Sequence, residues 1–223
     1  MNVCGNAMLM TVVGLISLLP TTADAKRKQQ PQVTMEVLSE SPRIYLYHNF
    51  LSDKECTHLM ALAKPKLVRS EVVDDEGVVS VSEFRTSEGM FIETTKDPVV
   101  NRIEKRISRL TNIPKENSES MQVLRYGVDQ EFRPHHDYLQ DEQVDGNNRQ
   151  ATFLMYLNTI DHGGETIFPL IDLKVKPVKG DALLFYNYDA ENKPDELTLH
   201  QGAPVLQDEK WSATSWLHFS QYR

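Results

Sequence analysis

Cysteine is scarce in this sequence, which has only Cys4 and Cys56 among its 223 residues. Two cysteines cannot build a disulfide-rich scaffold, and Cys56 alone would remain if the N-terminal segment were removed. Cys56 falls in a helical pattern together with Leu51, Leu59 and Leu62. We therefore expect Cys56 to pack in the core rather than to act as a reactive thiol.

Basic residues are also fewer than acidic residues. The chain carries 24 Lys and Arg residues against 32 Asp and Glu residues, which gives a net charge of -8 and a pI of about 5.4. Binding to a phosphate backbone needs a basic face, so this balance argues against nucleic acid as a partner. With 223 residues and 40% hydrophobic content, the chain is long enough for one domain with a sizeable core.

The apolar run from Ala7 to Leu19 is too short to span a membrane. The small-x-small pattern Ala23-Asp24-Ala25 follows it, so residues 1–25 are expected to be a signal peptide that is cut after Ala25. This predicts export to a periplasm, the extracellular space or the ER lumen. The basic run Lys26-Arg27-Lys28 lies on the wrong side for an export signal, and it leaves an uncleaved membrane anchor or a misassigned start as alternatives.

The polar residues 26–41 are expected to form a linker to a single domain over 42–223. Ser52 and Glu55 have the spacing of a capping box, which predicts a helix that ends near Ala63. Pro98 is placed to begin a second helix. Its predicted apolar stripe consists of Val99, Ile103, Ile107 and Leu110.

From Met121 onward the pattern changes to short apolar runs separated by turn residues. Such spacing is typical of a β-sandwich or barrel, so we expect a mainly β fold with supporting helices. The polar segment 140–150 interrupts this pattern and is expected to be a loop. The predicted strands cover residues 121–126, 151–157, 173–178, 182–186, 203–206 and 211–219.

The pair His135 and Asp137 carries the first chemical signal. Side chains two residues apart on an extended strand project to the same face, so the imidazole and the carboxylate could share a metal ion. His200 offers a third ligand. Two imidazoles and one carboxylate on one side of a metal, with open positions opposite, suit a non-haem Fe(II) oxygenase.

Lys210 follows His200 by ten residues, and Tyr126 precedes His135 by nine. An iron that must hold a dicarboxylic acid needs a cation and a hydroxyl donor to bind the far carboxylate. Lys210 and Tyr126 are our candidates for these two roles. A surface lysine and a core tyrosine are the alternative interpretations of either residue taken alone.

Over roughly residues 40–220 the sequence resembles the prolyl 4-hydroxylase family, on the motifs given at the end of this paragraph. The resemblance implies a double-stranded β-helix, or jelly-roll, core. It also implies Fe(II), 2-oxoglutarate as co-substrate, O2 and ascorbate as reductant, and hydroxylation of peptidyl proline at C4 with succinate and CO2 as co-products. The motifs are Tyr47-His48-Asn49-Phe50-Leu51-Ser52, Arg85-Thr86-Ser87, Gln122-Val123-Leu124-Arg125-Tyr126-Gly127, Pro134-His135-His136-Asp137-Tyr138, Leu154-Met155-Tyr156-Leu157-Asn158, Gly163-Gly164-Glu165-Thr166 and Lys179-Gly180-Asp181-Ala182-Leu183.

The resemblance assigns His135, Asp137 and His200 as the iron ligands and Lys210 as the partner of the far carboxylate. Tyr126 and Thr166 would be the hydroxyl donors, and Trp216 would lie near the oxoglutarate pocket. Arg85 and Arg149 would lie near a proline-containing peptide or protein substrate. The sequence departs from the family at Phe132, where relatives often carry tyrosine, and at Phe91, which replaces what can be a tryptophan.

Two other functions remain open at this point. One is an oxoglutarate oxygenase that acts on a free amino acid or another side chain. The other is a β-sandwich binding module that has kept the fold without catalysis, and it would show no oxoglutarate turnover. The sequence does not identify the substrate protein or the oligomeric state.

Overall fold

The structure, a computed structural model, describes residues 32–73, 79–93, 97–139 and 146–222. The predicted signal peptide over 1–25, the start of the predicted linker and residues 140–145 of the predicted loop lie outside this part of the chain. Within the described ranges, no helix is both long and apolar enough to cross a membrane.

Fourteen β-strands and two α-helices make up the regular structure of the described residues, apart from single 3-10 turns. Helix α1 spans Asp53–Ala63 and helix α2 spans Pro98–Thr111. In chain order the strands are β1 (Thr34–Glu40), β2 (Arg43–His48), β3 (Val68–Arg69), β4 (Glu71–Val73), β5 (Val79–Val81), β6 (Glu88–Ile92), β7 (Met121–Tyr126), β8 (Phe132–His135), β9 (Arg149–Tyr156), β10 (Thr166–Phe168), β11 (Leu173–Val175), β12 (Ala182–Tyr186), β13 (His200–Gly202) and β14 (Lys210–His218).

The strands form three antiparallel sheets. Eight strands pair in the order β1-β2-β12-β9-β14-β7-β6-β3, and four pair in the order β11-β10-β13-β8. The short hairpin of β4 and β5 forms the third sheet. These sheets confirm the predicted mainly β fold.

Both faces of the eight-stranded sheet are covered. On one face, Leu59 of α1 and Ile103 of α2 belong to the same buried cluster as Phe153 of β9. On the other face, Phe185 of β12 contacts Phe168 of the four-stranded sheet edge to face, with ring centroids 5.3 Å apart. Each fully buried side chain of this size contributes about 1.5–3 kcal/mol to stability. The two facing sheets form the jelly-roll core, and the functional residues lie between them.

Five of the six predicted strands are present, as β7, β9, β11, β12 and β14, but two predictions are wrong. The predicted linker 26–41 is wrong from Thr34 onward, because Thr34–Glu40 forms β1 and pairs with β2. This strand lies at the sheet edge with mostly exposed side chains, so it shows no apolar pattern. The predicted strand 203–206 is also wrong. Strand β13 ends at Gly202, and Pro204 has no backbone N–H to continue the ladder.

Helix α1 confirms the predicted capping box. The Ser52 hydroxyl accepts from the Glu55 amide at 3.3 Å, and the Glu55 carboxylate accepts from the Ser52 amide at 2.8 Å. The helix ends at Ala63, as predicted. Cys56 lies on its buried face, and burial raises the pKa of the Cys56 thiol to about 11. This placement confirms the core role expected for Cys56.

Helix α2 begins at Pro98 as predicted, but its buried face is rotated from the predicted stripe. Ile103 and Ile107 are buried with Val100, whereas Leu110 is 40% exposed. Positions 100, 103 and 107 follow the spacing of three and four residues that keeps side chains on one helix face. Leu110 falls outside that face, so its place in the stripe is corrected.

Asp97 connects α2 to α1 and generates a prediction about stability. Its Oδ1 accepts from the amides of Val99 and Val100 at 2.8 and 3.0 Å, and its Oδ2 is 2.8 Å from His58 Nε2. We expect Asp97→Ala to lower the free energy of unfolding by about 1 kcal/mol, because the first turn of α2 loses its cap. Asp97→Asn keeps the cap and should lose less. Urea unfolding of both variants is the measurement, and equal stability of Asp97→Ala and the unmodified protein would contradict this role.

Candidate metal centre and co-substrate cavity

The pairing of β8 with β13 brings the predicted ligands together. His200 lies directly opposite His135 in the antiparallel register, and Asp137 follows β8 by two residues. Asp137 Oδ1 lies 3.6 Å from His135 Nε2, and Asp137 Oδ2 lies 3.7 Å from His200 Nε2. One donor atom from each residue therefore lies within 4.8 Å of the other two. This distance allows a single metal ion to contact all three.

Both imidazoles are oriented by the backbone. His135 Nδ1 lies 2.7 Å from the carbonyl oxygen of Arg133, and His200 Nδ1 lies 3.0 Å from that of Thr198. A carbonyl can only accept, so each Nδ1 carries the proton and donates it. Each Nε2 lone pair is then left to face the centre, as metal binding requires.

The electrostatics of the centre favour the protonation states of metal ligands. Burial lowers the pKa of His200, and burial together with the neighbouring His200 lowers the pKa of His135. Burial opposes ionisation of Asp137, but His200, His135, Arg149 and a hydrogen bond from Thr152 outweigh it and lower its pKa. Two neutral imidazoles and one carboxylate are the donor set that suits non-haem Fe(II). The residues therefore fit the predicted metal.

Two aromatic rings pack against the imidazoles of the centre. The Phe132 ring stacks on His135 with centroids 3.5 Å apart, and Phe185 lies 4.7 Å from His200. Phe132 is one of the two residues at which the sequence analysis found a departure from the family, and its ring carries no hydroxyl. The surface that Phe132 forms next to His135 is therefore apolar, and it offers no hydrogen-bond donor.

Lys210 lies at the other end of the cavity, opposite Tyr126 in the pairing of β14 with β7. Its side chain is 3% exposed, and its ammonium lies 5.4 Å from the centre of the Tyr126 ring. Burial lowers the pKa of Lys210 to about 8, although Glu165 opposes this shift. Among the described residues, no carboxylate oxygen lies within 4.0 Å of the Lys210 ammonium, the limit for an ion pair. A buried cation without such a partner fits an anionic ligand.

Thr166 is held by a residue to which the sequence assigned no role. The Tyr156 hydroxyl donates to Thr166 Oγ1 at 2.8 Å, and both side chains are buried. Because Thr166 accepts this bond, its own proton is available for a second acceptor. Tyr156 stands in one of the quoted motifs, but its contact with Thr166 depends on the packing of two sheets and carries no sequence signal.

The two predicted substrate arginines have different surroundings. Arg85 lines the cavity, where it donates to Gln122 Oε1 at 2.9 Å and lies 4.7 Å from the centre of the Phe132 ring. Its buried Nε has no hydrogen-bond partner among the described residues. Arg149 makes a two-point contact with Glu119, at 2.5 Å from Nε and 3.1 Å from Nη2.

Arg149 also contacts a metal-ligand residue and a residue of the cavity wall. Its guanidinium lies 4.1 Å from the centre of the Trp216 ring, and its Nη1 is 3.5 Å from the backbone oxygen of Asp137. His218 bonds the same Glu119 at 2.9 Å. The sequence assigned no role to Glu119 or His218, because the contact between them joins residues 99 positions apart.

Trp216 lines the cavity, and its buried indole N–H has no hydrogen-bond partner among the described residues. Phe91 is 53% exposed on β6. One cavity thus joins the metal centre to Lys210 and to most of the predicted site residues. Its lining is formed by Arg85, Leu124, Tyr126, Phe132, His135, Asp137, Thr152, Leu154, Thr166, Phe185, His200, Gln201, Gly202, Lys210, Ser212, Thr214 and Trp216.

Comparison with known proteins agrees with this geometry. The family model of the 2OG-Fe(II) oxygenase superfamily matches residues 121–218, which include all three ligands and Lys210. Prolyl 4-hydroxylase 5 of Arabidopsis thaliana is 44% identical over 211 residues, which cover 85% of this chain and 72% of that protein. Prolyl 4-hydroxylase 2 of the same organism is 44% identical over 209 residues, with coverages of 83% and 70%.

Solved structures give the same result. The viral collagen prolyl hydroxylase of Paramecium Bursaria Chlorella virus-1, in its 2OG complex, is 31% identical with a TM-score of 0.66. The match covers 78% of this chain and 95% of the viral chain. A Pseudomonas putida prolyl-4-hydroxylase, with 18% identity and a TM-score of 0.54, shares the fold. The chain is a member of the prolyl 4-hydroxylase family of 2OG-Fe(II) oxygenases.

Proposed function

We propose that the protein hydroxylates peptidyl proline at C4, with Fe(II) as cofactor, 2-oxoglutarate and O2 as co-substrates, and succinate and CO2 as co-products. The observation that carries this proposal is the metal triad, which shares one cavity with the buried Lys210. Bound Fe(II) with 2-oxoglutarate and O2 supplies the oxidation that replaces a C–H bond of the substrate by C–OH. The residues of this chain would hold the metal, bind the co-substrate and exclude water.

His135, Asp137 and His200 would hold the metal on one side and leave the other side open. Their positions are fixed before the metal binds, because the carbonyls of Arg133 and Thr198 orient the two imidazoles. Thr152 donates to Asp137 Oδ2 at 2.7 Å and orients the carboxylate. Partners of this kind set the affinity for the metal.

Lys210, Tyr126 and Thr166 would bind the far carboxylate of 2-oxoglutarate. The ammonium of Lys210 supplies a full positive charge in a buried place, where an ion pair is only weakly screened. The Thr166 proton is available because Tyr156 already donates to that oxygen. The aromatic rings around His135 and His200 exclude water from the reacting atoms.

Ascorbate as the reductant and export from the cytosol belong to the same proposal. Ascorbate is supported by the family resemblance alone, and oxoglutarate turnover with and without it is the test. Export is supported by the apolar run from Ala7 to Leu19 and by Ala23-Asp24-Ala25. Sequencing the N-terminus of protein from its natural host would find Lys26 first if the signal is cut, and Met1 or Asn2 if the segment is an anchor.

The direct test of the function is mass spectrometry of proline-containing peptides after incubation with Fe(II), 2-oxoglutarate, ascorbate and the protein. We expect one added oxygen atom on proline, and 4-hydroxyproline after hydrolysis of the peptide. Asp137→Ala should give none, since one of the three metal ligands is lost. Hydroxylation of free amino acids alone would favour the alternative oxygenase. The absence of oxoglutarate turnover with every substrate would favour the binding module.

Thr152 generates a prediction about metal affinity. Thr152→Val keeps the shape of the side chain but removes the hydrogen bond to Asp137 Oδ2. We expect a loss of metal affinity of about 10-fold to 100-fold, the usual effect of removing such a partner. Thr152→Ser keeps the hydroxyl and is the matched control. Anaerobic Fe(II) titration measures the affinity, and equal dissociation constants for the Val and Ser variants would contradict this role.

Lys210 generates a prediction about the co-substrate. Lys210→Ala leaves the far carboxylate in the cavity without its cation, and loss of one partner of a buried pair typically costs about 3–5 kcal/mol. The half-saturating oxoglutarate concentration should therefore rise on the order of a hundredfold or more, while Fe(II) affinity changes little. Lys210→Arg should be only partly tolerated, because a planar guanidinium differs in shape from an ammonium.

The control for this titration is Lys176→Ala, which removes a lysine whose side chain is 53% exposed. It should leave the half-saturating concentration unchanged. An unchanged value in Lys210→Ala would mean that oxoglutarate binds elsewhere. A rise accompanied by an equal loss of Fe(II) affinity would mean that Lys210 supports the metal centre instead.

A further inference from the structure

Asn187 is a buried asparagine close to the metal centre, and the sequence assigned no role to it. It directly follows β12, and its backbone N–H donates to the carbonyl of Gln150 at 2.9 Å, so the pairing of β12 with β9 continues for one more residue. Its own carbonyl accepts from the Asp195 amide at 2.9 Å. The side chain is 0% exposed and does not line the cavity. Backbone bonds on both sides thus fix the position of Asn187 outside the cavity wall.

The side-chain amide of Asn187 donates two hydrogen bonds. Its Nδ2 lies 3.0 Å from the backbone oxygen of Arg149 and 3.3 Å from Thr152 Oγ1. A carbonyl oxygen only accepts, so the nitrogen of the amide, and not its oxygen, must face Arg149. The second proton of the same nitrogen is then donated to Thr152. The backbone of Arg149 therefore sets the orientation of the Asn187 amide.

The Thr152 hydroxyl in turn has one acceptor for its proton. A threonine hydroxyl carries one proton and two lone pairs. It cannot donate to Asn187 Nδ2, which is itself the donor, whereas Asp137 Oδ2 lies 2.7 Å away and accepts. Asn187, Thr152 and Asp137 thus form a hydrogen-bond relay that ends on a metal ligand.

The other end of the Asn187 amide makes no bond. Its Oδ1 is buried and has no hydrogen-bond partner among the described residues. A buried acceptor without a partner lowers stability, and an apolar side chain of similar size would avoid this cost. We therefore attribute the asparagine at this position to the two bonds that it donates.

We propose that Asn187 is a positioning residue for the metal centre, which directs the Thr152 proton to Asp137 Oδ2 and thereby increases the affinity for Fe(II). This inference rests on the metal-binding role that the proposed function gives to Asp137. Asn187 would touch neither the metal nor a substrate, and it would act only through Thr152.

The effect on metal binding follows from the order that the relay imposes. A carboxylate is planar, so fixing Asp137 Oδ2 also fixes Oδ1, which lies 3.6 Å from His135 Nε2. Without the Asn187 donor, the Thr152 hydroxyl can rotate between its staggered positions, and only one of them directs the proton to Asp137. Metal binding must then impose this order itself, which weakens the binding.

Anaerobic titration of the full-length protein with Fe(II), without oxoglutarate or peptide, tests the proposal. Asn187→Leu keeps the approximate size of the side chain and removes both donors. We expect its dissociation constant for Fe(II) to rise about 3-fold to 10-fold, the effect of losing one neutral hydrogen bond. The rise should be smaller than that in Thr152→Val, because Thr152 still contacts Asp137. An unchanged dissociation constant would overturn the proposal.

A double variant separates positioning through Thr152 from a general structural role. In the Thr152→Val background no hydroxyl is left to orient, so the addition of Asn187→Leu should leave the Fe(II) dissociation constant unchanged. A further rise as large as that in the unmodified background would overturn the proposal, because Asn187 would then act by another route, such as the backbone of Arg149.

Asn158→Leu is the matched control. Asn158 also bonds the backbone at two points, because its Nδ2 donates to the Glu209 carbonyl at 2.6 Å and its Oδ1 accepts from the Trp211 amide at 2.7 Å. These contacts lie next to Lys210 in the chain, at the other end of the cavity. The control should lower stability and leave the Fe(II) dissociation constant unchanged. An equal rise of this constant in Asn158→Leu and Asn187→Leu would contradict a specific role for Asn187.

Asn187→Ala is the second variant, and it keeps the test decisive if leucine prevents folding. It lacks the same two donors and adds no bulk, so it should show the same rise and the same loss of effect in the Thr152→Val background. These titrations need no turnover, so the coupling supports the relay even if no proline is hydroxylated. Absence of the coupling contradicts the relay even if the unmodified protein hydroxylates proline.

Discussion

The antiparallel register of β8 and β13 is the constraint on which the active centre depends. It places His200 directly opposite His135, and the chain after β8 then brings Asp137 within 3.7 Å of His200 Nε2. A slip of one residue would turn one histidine to the other face of the sheet. The carbonyls that orient the imidazoles come from the residues two positions before each histidine, so the same backbone sets both the position and the tautomer.

The cavity between the sheets gathers charged and polar groups that would destabilise an ordinary core. Asp137, Lys210 and Arg85 are all at most 6% exposed. The imidazoles and Thr152 compensate for Asp137, and Gln122 accepts one bond from Arg85. Lys210 has no such partner among the described residues, and burial lowers its pKa. Burying a cation without a partner lowers the stability of the protein, but it favours the binding of a dianion.

The correct predictions depended mostly on residues that are close together in the chain. The capping box of Ser52 and Glu55 and the limits of β7 and β12 follow from residues close together in the chain. The ligands His135 and Asp137 share a local pattern, whereas His200 and Lys210 were assigned with the help of family resemblance. All four meet in one cavity.

Contacts between distant segments explain what the sequence did not predict. Strand β1 was taken for linker because its side chains are mostly exposed and only its backbone pairs. The contact of Tyr156 with Thr166 depends on how the two sheets stack, and that of Glu119 with Arg149 depends on the strand order within the eight-stranded sheet. Arg149 shows this best, since the family resemblance indicated a substrate residue and the fold pairs it with Glu119.

The central claim is that one chain holds Fe(II) through its triad and 2-oxoglutarate through the metal and Lys210 together. Anaerobic titration of the Fe(II)-loaded protein with 2-oxoglutarate, followed by the charge-transfer absorption of the chelate, tests this without any peptide substrate. The account predicts an absorption band that saturates at one oxoglutarate per chain. Iron binding with no such band at any oxoglutarate concentration would contradict it.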